Sequence, residues 1–236
     1  MLQDEGNIIG IGINKHYLIN GNHETASYTN TITISQRKFK DFTTNGEHAL
    51  AISEGGFLYS WGSNEHGQLG RVGNSSPVLP VTQVFAVRIK QAACGSGFSC
   101  VLTEEGRVFD WGIYGFNELV LESHSELEKP DEAEENEKVV SIHGTKLYLM
   151  ILTESGKVFI PSFKRSINKC DQMSLHIEKV NALKGPLKNK RIKHVLSGKS
   201  YAFALTCDGE IFHWPVYTCN CNGQPEPKRI AEEIEQ

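Results

Sequence analysis

An all-β fold made by repetition is what this sequence predicts, and three observations predict it. One segment recurs four times, as ISEGGFLYSWG (52–62), LTEEGRVFDWG (102–112), LTESGKVFIPS (152–162) and LTCDGEIFHWP (205–215). Each copy follows a short apolar run and turns on a glycine. Between the copies the pattern shows no substantial helical period.

The slot held by Trp61, Trp111, Pro161 and Trp214 repeats at intervals of 50, 50 and 53 residues. Fifty residues before Trp61, IGINKHYLIN (11–20) shadows WGSNEHGQLG (61–70), with Gly12 matching Gly62 and Asn14 matching Asn64. Repeat junctions therefore fall near 11, 61, 111, 161 and 214. The apolar runs HALAI (48–52), FSCVL (98–102), LYLMIL (147–152) and YAFAL (201–205) do not alternate cleanly. Each reads as a strand buried on both faces. The polar stretches that follow end in Gly56, Gly106, Gly156 and Gly209, which can supply the positive φ of a tight hairpin. The chain returns as FLYSW, RVFDW, KVFI and EIFHW, aromatic-rich strands suited to a packed surface. Tryptophan at the end of that strand can plug the gap between neighbouring units. Gly62 and Gly112 behind it let the backbone turn away with no side chain in the wedge. His48, Phe98, Tyr148 and Tyr201 keep a ring at one position through changes of polarity, so His48 reads as a core histidine.

VRIKQAACG (87–95) and RIKHVLSG (191–198) supply one more strand per unit. A stacked unit of about 50 residues and about four antiparallel strands describes a propeller blade. The expectation is one β-propeller domain over residues 1–236, with about four complete four-stranded blades and partial units at the ends. What the two termini leave over is too short for a further blade and holds no run like FSCVL. An incomplete or open propeller is therefore expected, with a small distorted ring as the alternative.

Composition narrows the function. The net charge of −4 gives no basic excess for a polyanion, so nucleic-acid binding is not expected. No run approaches the ~20 apolar residues of a membrane span, and MLQDEGNIIG lacks the pattern of a secretory leader. Cys94, Cys100 and Cys207 lie in or beside apolar runs and read as reduced thiols of a cytoplasmic or nuclear protein.

The stretches ACGSGFSCVLTEEGRVFDWG (93–112) and EHALAISEGGFLYSWGSNEHGQLG (47–70) resemble the repeat of the regulator of chromosome condensation family. That resemblance implies propeller blades of 50 to 60 residues. It also implies one of two uses, nucleotide exchange on the small GTPase Ran or the holding of other proteins. The likeness fades along the chain. GFNELV (115–120) replaces the GQLG tail, the Trp-Gly pair is lost around Ile160-Pro161, and Pro215 follows Trp214.

No catalytic arrangement is present: GxSxG, HExxH, GxxxxGK[ST] and GxGxxG are absent. Cys219 and Cys221, with Cys170 and His213, do not make a paired zinc spacing, so neither a metal nor a cofactor is expected. The acidic stretch 122–138 reads as a solvated insertion or a steering arm. The lysine-rich stretch 183–194 reads as a soluble edge strand, with a phosphate patch as the sharper alternative. Tyr114, Phe116 and Asn117, with Phe163, Lys164 and Arg165, depart from the repeat just after the junctions and are the candidate protein contacts. The partner expected is a protein: a small GTPase, a chain that completes the propeller, or a second copy.

Overall fold

In the computed structural model the described residues are 8–10, 32–34, 38–71, 79–80, 87–113, 125–126, 138–167, 173–183, 185–198, 200–216 and 226–230. Gly12, the junction near residue 11, Tyr114, Phe116, Asn117, Cys170, Cys219, Cys221 and most of the acidic stretch lie outside them. The chain divides into two compact units, Met1–Glu126 and Leu127–Gln236.

In the first unit, β1 (Ile8–Gly10) and β2 (Ile32–Ile34) form a two-stranded antiparallel pair. Two four-stranded sheets follow. One holds β3 (Phe39–Thr44), β4 (His48–Ser53), β5 (Leu58–Gly62) and β6 (Leu79–Pro80). The next holds β7 (Ile89–Gly95), β8 (Phe98–Thr103), β9 (Val108–Gly112) and β10 (Ser125–Glu126). The second unit repeats the arrangement. Its third sheet holds β11 (Val139–Gly144), β12 (Leu149–Thr153), β13 (Val158–Ile167) and β14 (Met173–Ala182). The fourth holds β15 (Ile192–Ser197), β16 (Tyr201–Thr206), β17 (Ile211–Pro215) and β18 (Lys228–Arg229). Every sheet is an antiparallel meander in chain order, so each sequence repeat folds as one local unit.

The hairpins between the second and third strands form where the glycines predict. Gly56, Gly106, Gly156 and Gly209 have φ of 80, 86, 82 and 89°. Serine or threonine opens each turn, and its backbone N–H donates to the carbonyl four residues on, as from Thr103 to Arg107 at 2.8 Å. Asp208 adds a side-chain bond from Thr206 Oγ1, and with it a bond from Lys190, which together hold its carboxyl at about 2.

The glycine after tryptophan acts as expected at Gly112, where φ is 116°. A Cβ there would drive into the Gly97 carbonyl oxygen and come within 2.8 Å of Phe98 Cα. The third sheet has Ser162 in that slot. With no glycine to break it, β13 runs on for 10 residues and pairs with an equally long β14. The candidate contacts Phe163, Lys164 and Arg165 therefore lie in β13, opposite Ile177, His176 and Leu175.

Candidate interaction surface

The two faces of each sheet do different jobs, and the periodicity of two along each strand sorts them. On β4, His48, Leu50 and Ile52 point toward the second sheet. There they meet Ile89, Ala92 and Cys94 of β7, with Val101 and Trp111. The second unit repeats this. Tyr148, Met150 and Leu152 meet Ile192 and Val195 of β15, Ala202 and Ala204 of β16, and Phe212 and Trp214 of β17. An outgoing face of a ring and two large aliphatic side chains thus receives an incoming face of small residues and a tryptophan.

The polar atoms trapped in these seams are partnered to one another. Trp111 Nε1 donates to the Gln68 carbonyl at 2.8 Å, and Ser99 Oγ donates to the same oxygen at 2.7 Å. His48 Nε2 lies 2.7 Å from Ser99 Oγ. Gln68 belongs to the GQLG tail. Asn64 Oδ1 accepts the Leu69 N–H at 2.9 Å and Ser60 Oγ donates to the Leu69 carbonyl at 2.8 Å, so the tail is tied back onto its own sheet. GQLG is therefore a wedge between sheets, which its turn-like composition did not indicate. In the second unit, which lacks this tail, Tyr148 Oη takes its place and accepts the Trp214 indole N–H at 3.0 Å. Backbone bonds close one end of each seam: Ile89 N–H to the Gly56 carbonyl, and Ile192 N–H to the Gly156 carbonyl, both at 2.9 Å.

Burial holds three titratable groups neutral. Burial alone brings the His48 imidazole down to about 3. Burial pushes the Cys94 and Cys100 thiols up, and both are free and buried. Neither thiol is a nucleophile in that state. Among the described residues no cluster of His, Cys, Asp and Glu could hold a metal. No described helix is long and apolar enough to cross a membrane.

The lysine-rich stretch forms a short 3₁₀ turn (Gly185–Leu187) and the edge strand β15. Lys190 bonds to Asp208 and Glu210, and Arg229 also reaches Glu210 at 3.2 Å.

One expectation fails informatively. YAFAL was read as buried on both faces, as HALAI, FSCVL and LYLMIL are. In β16 burial alternates instead. Ala202 and Ala204 are buried against the third sheet, whereas Tyr201 and Phe203 are 47% and 38% exposed. Leu196 of β15 and Ile211 of β17, at 66% and 46%, extend the same face. His213 lies between the rings, its centroid 5.8 Å from Tyr201 and 6.3 Å from Phe203. Its Nε2 has no hydrogen-bond partner among the described residues. A groove of about 620 Å³ runs along this face, lined by Leu196, Phe203, Leu205, Ile211 and Ile230 and edged by His143 and His194. Burial, and then the charge of His194, lowers the His143 imidazole, so it too is held neutral.

Antiparallel four-stranded sheets that repeat every 50 residues and lock through a buried tryptophan define a propeller-type repeat protein. The profile described as "Regulator of chromosome condensation (RCC1) repeat" matches residues 55–102, and a second profile of that description matches residues 39–68. The chain carries repeats of the RCC1-like family over residues 39–102. Over 187 residues it is 28% identical to the human E3 ubiquitin-protein ligase HERC2, covering 77% of this chain and 4% of that protein. It is 30% identical to the secretion-regulating guanine nucleotide exchange factor of Bos taurus, covering 74% of this chain and 40% of that one. The structure of Prp20p from Saccharomyces cerevisiae, described with its binding to Gsp1p and histones, superposes with a TM-score of 0.72 at 18% identity. That superposition covers 97% of this chain and 60% of Prp20p. The chain thus spans less than two thirds of each of these proteins.

Proposed function

We propose that this chain is a protein–protein interaction module of the RCC1-like propeller type, one domain over residues 1–236, and not itself an enzyme. The observation that carries this reading is the uncovered apolar face of Leu196, Tyr201, Phe203 and Ile211 beside its groove. A contiguous apolar surface of that kind marks a place where another molecule sits. The bonds at His48, Ser99, Trp111, Tyr148 and Trp214 hold sheets together. Tyr114, Phe116, Asn117, Phe163, Lys164 and Arg165 are proposed as a second set of contacts. The partner is a protein; membrane and nucleic acid are not part of the reading. The reduced Cys94 and Cys100 favour a cytoplasmic or nuclear setting.

Affinity capture with the parent chain, Phe203→Asp and a Tyr114→Ala/Phe116→Ala double variant tests the reading. A protein held by the parent and lost from one variant is the expected result. Identical retention by all three sinks it.

The second reading is guanine-nucleotide exchange on a Ran-type small GTPase, favoured by the likeness to the secretion-regulating exchange factor. It requires only protein contacts that compete with phosphate and magnesium, so buried neutral thiols do not count against it. Release of labelled GDP, accelerated tenfold or more by the chain, would establish exchange.

A further inference from the structure

We infer that the Tyr201–Phe203–Leu205–Ile211 face is the seat of one further four-stranded sheet of the same repeat type. The seated sheet would present small residues and a tryptophan whose indole N–H bonds to Tyr201 Oη. This rests on the interaction-module reading and names the partner's chemistry.

In the three other sheets the residues equivalent to Tyr201, Phe203 and Leu205 are His48, Leu50 and Ile52; Phe98, Cys100 and Leu102; and Tyr148, Met150 and Leu152. All nine are buried. For two of these faces the cover is a described sheet, and in both the covering side consists of a small-residue strand and a tryptophan, Val101 with Trp111 or Ala202 and Ala204 with Trp214. The fourth sheet carries the same outgoing side chains with no described sheet upon them. Tyr201 repeats Tyr148, the ring that accepts an indole N–H. At the hairpin end, Gly156 is packed against Arg191 and Ile192 of the sheet it receives, whereas a Cβ on Gly209 would meet nothing within 4 Å. An incoming strand's N–H can therefore reach the Gly209 carbonyl, as Ile192 N–H reaches that of Gly156.

A second copy of this chain is a poorer occupant. The incoming faces of its four-stranded sheets are already buried, including Ala49, Ala51 and Trp61 in the first and Leu149, Ile151 and Phe159 in the third. Pairing two fourth sheets would press Tyr201 and Phe203 against their own kind, with no small-residue strand to receive them. The fitting occupant is a repeat sheet whose incoming face is free.

The test extends the full chain by a second copy of residues 183–236, with Leu196→Cys placed in the first copy only. Maleimide labelling at that cysteine, located by peptide mass, is compared with the same substitution in the unextended chain. A tenfold or greater fall in labelling rate is expected. Ala202→Arg in the appended copy alone, on the surface that would be seated, should restore the rate. Unchanged labelling after extension overturns the inference. So does an unextended chain that dimerises by sedimentation and protects Leu196→Cys as its concentration rises, because the occupant is then a second copy. If the extension fails to seat while Phe203→Asp still loses a captured protein, the interaction module stands and the repeat-sheet occupant falls.

Discussion

His48→Phe should flatten the acid limb of this protein's stability curve. The imidazole is buried and held at about 3 by desolvation, against 6.5 when free. Below pH 6.5 the unfolded chain takes up a proton at His48 and the folded chain does not, so acid favours unfolding. That contribution is intact above pH 6.5 and is lost progressively as pH falls toward about 3. One proton of difference is about 1.4 kcal/mol per pH unit, so at pH 5 the loss is about 2 kcal/mol. Phenylalanine already occupies the equivalent site as Phe98, buried in the same way. Its installation leaves Ser99 Oγ bonded to the Gln68 carbonyl and removes the unpartnered Nδ1. At pH 7.5 the two proteins should therefore agree within about 1 kcal/mol. Urea titrations between pH 7.5 and 4.5 measure the difference directly. His143 and the carboxylates titrate alike in parent and variant and cancel in the comparison. Parallel stability curves would refute the reasoning, because they would mean His48 is protonated in the fold.

Three further outcomes follow from the seams and the open face. Gly112→Ala should cost about 3 kcal/mol or more, since its Cβ meets backbone, while Gly106→Ala, with nothing within 4 Å, should cost only about 1 kcal/mol; thermal melts separate the two. Tyr148→Phe strands the buried Trp214 N–H and should cost about 1–3 kcal/mol. In a double-mutant cycle with Trp214→Phe, the pair should couple by about 1 kcal/mol. Leu196→Asp should leave the melting temperature within a degree or two, about the shift of a neutral surface change, while lowering the fluorescence of a bound apolar dye; a large fall in melting temperature would mean the face is internal.

The strands, hairpins and seams were legible because each repeat states its own geometry. Glycine marks the turn, an unbroken apolar run marks a strand packed on both sides, and tryptophan marks the lock. The periodicity of β7 and β15 was equally plain. The bond at Gln68 was not, because it uses a main-chain carbonyl, and no side chain announces where a carbonyl will point. Nor was the extension of β13, which depends on Ser162 standing where Gly62 and Gly112 stand in other repeats. Phe163, Lys164 and Arg165, expected only as contacts just after a junction, fall in that strand. For the candidate surface the signal was present but read as core.

YAFAL has the composition of a strand buried on both faces, as three related runs in the same chain are buried. The physical reason for such a composition is the same in every copy: an apolar ring and aliphatic side chains gain free energy only when water leaves them. In the fourth copy Ala202 and Ala204 make that gain against the third sheet, and Tyr201 and Phe203 do not. A solvent-facing side of an antiparallel sheet is ordinarily polar, so a repeat that served only to end the array would carry polar side chains at positions 201, 203 and 211. Tyrosine, phenylalanine and isoleucine stand there instead. The fourth sheet is built as an interior sheet, and its exposed face is one half of a seam whose other half this chain's described residues do not provide.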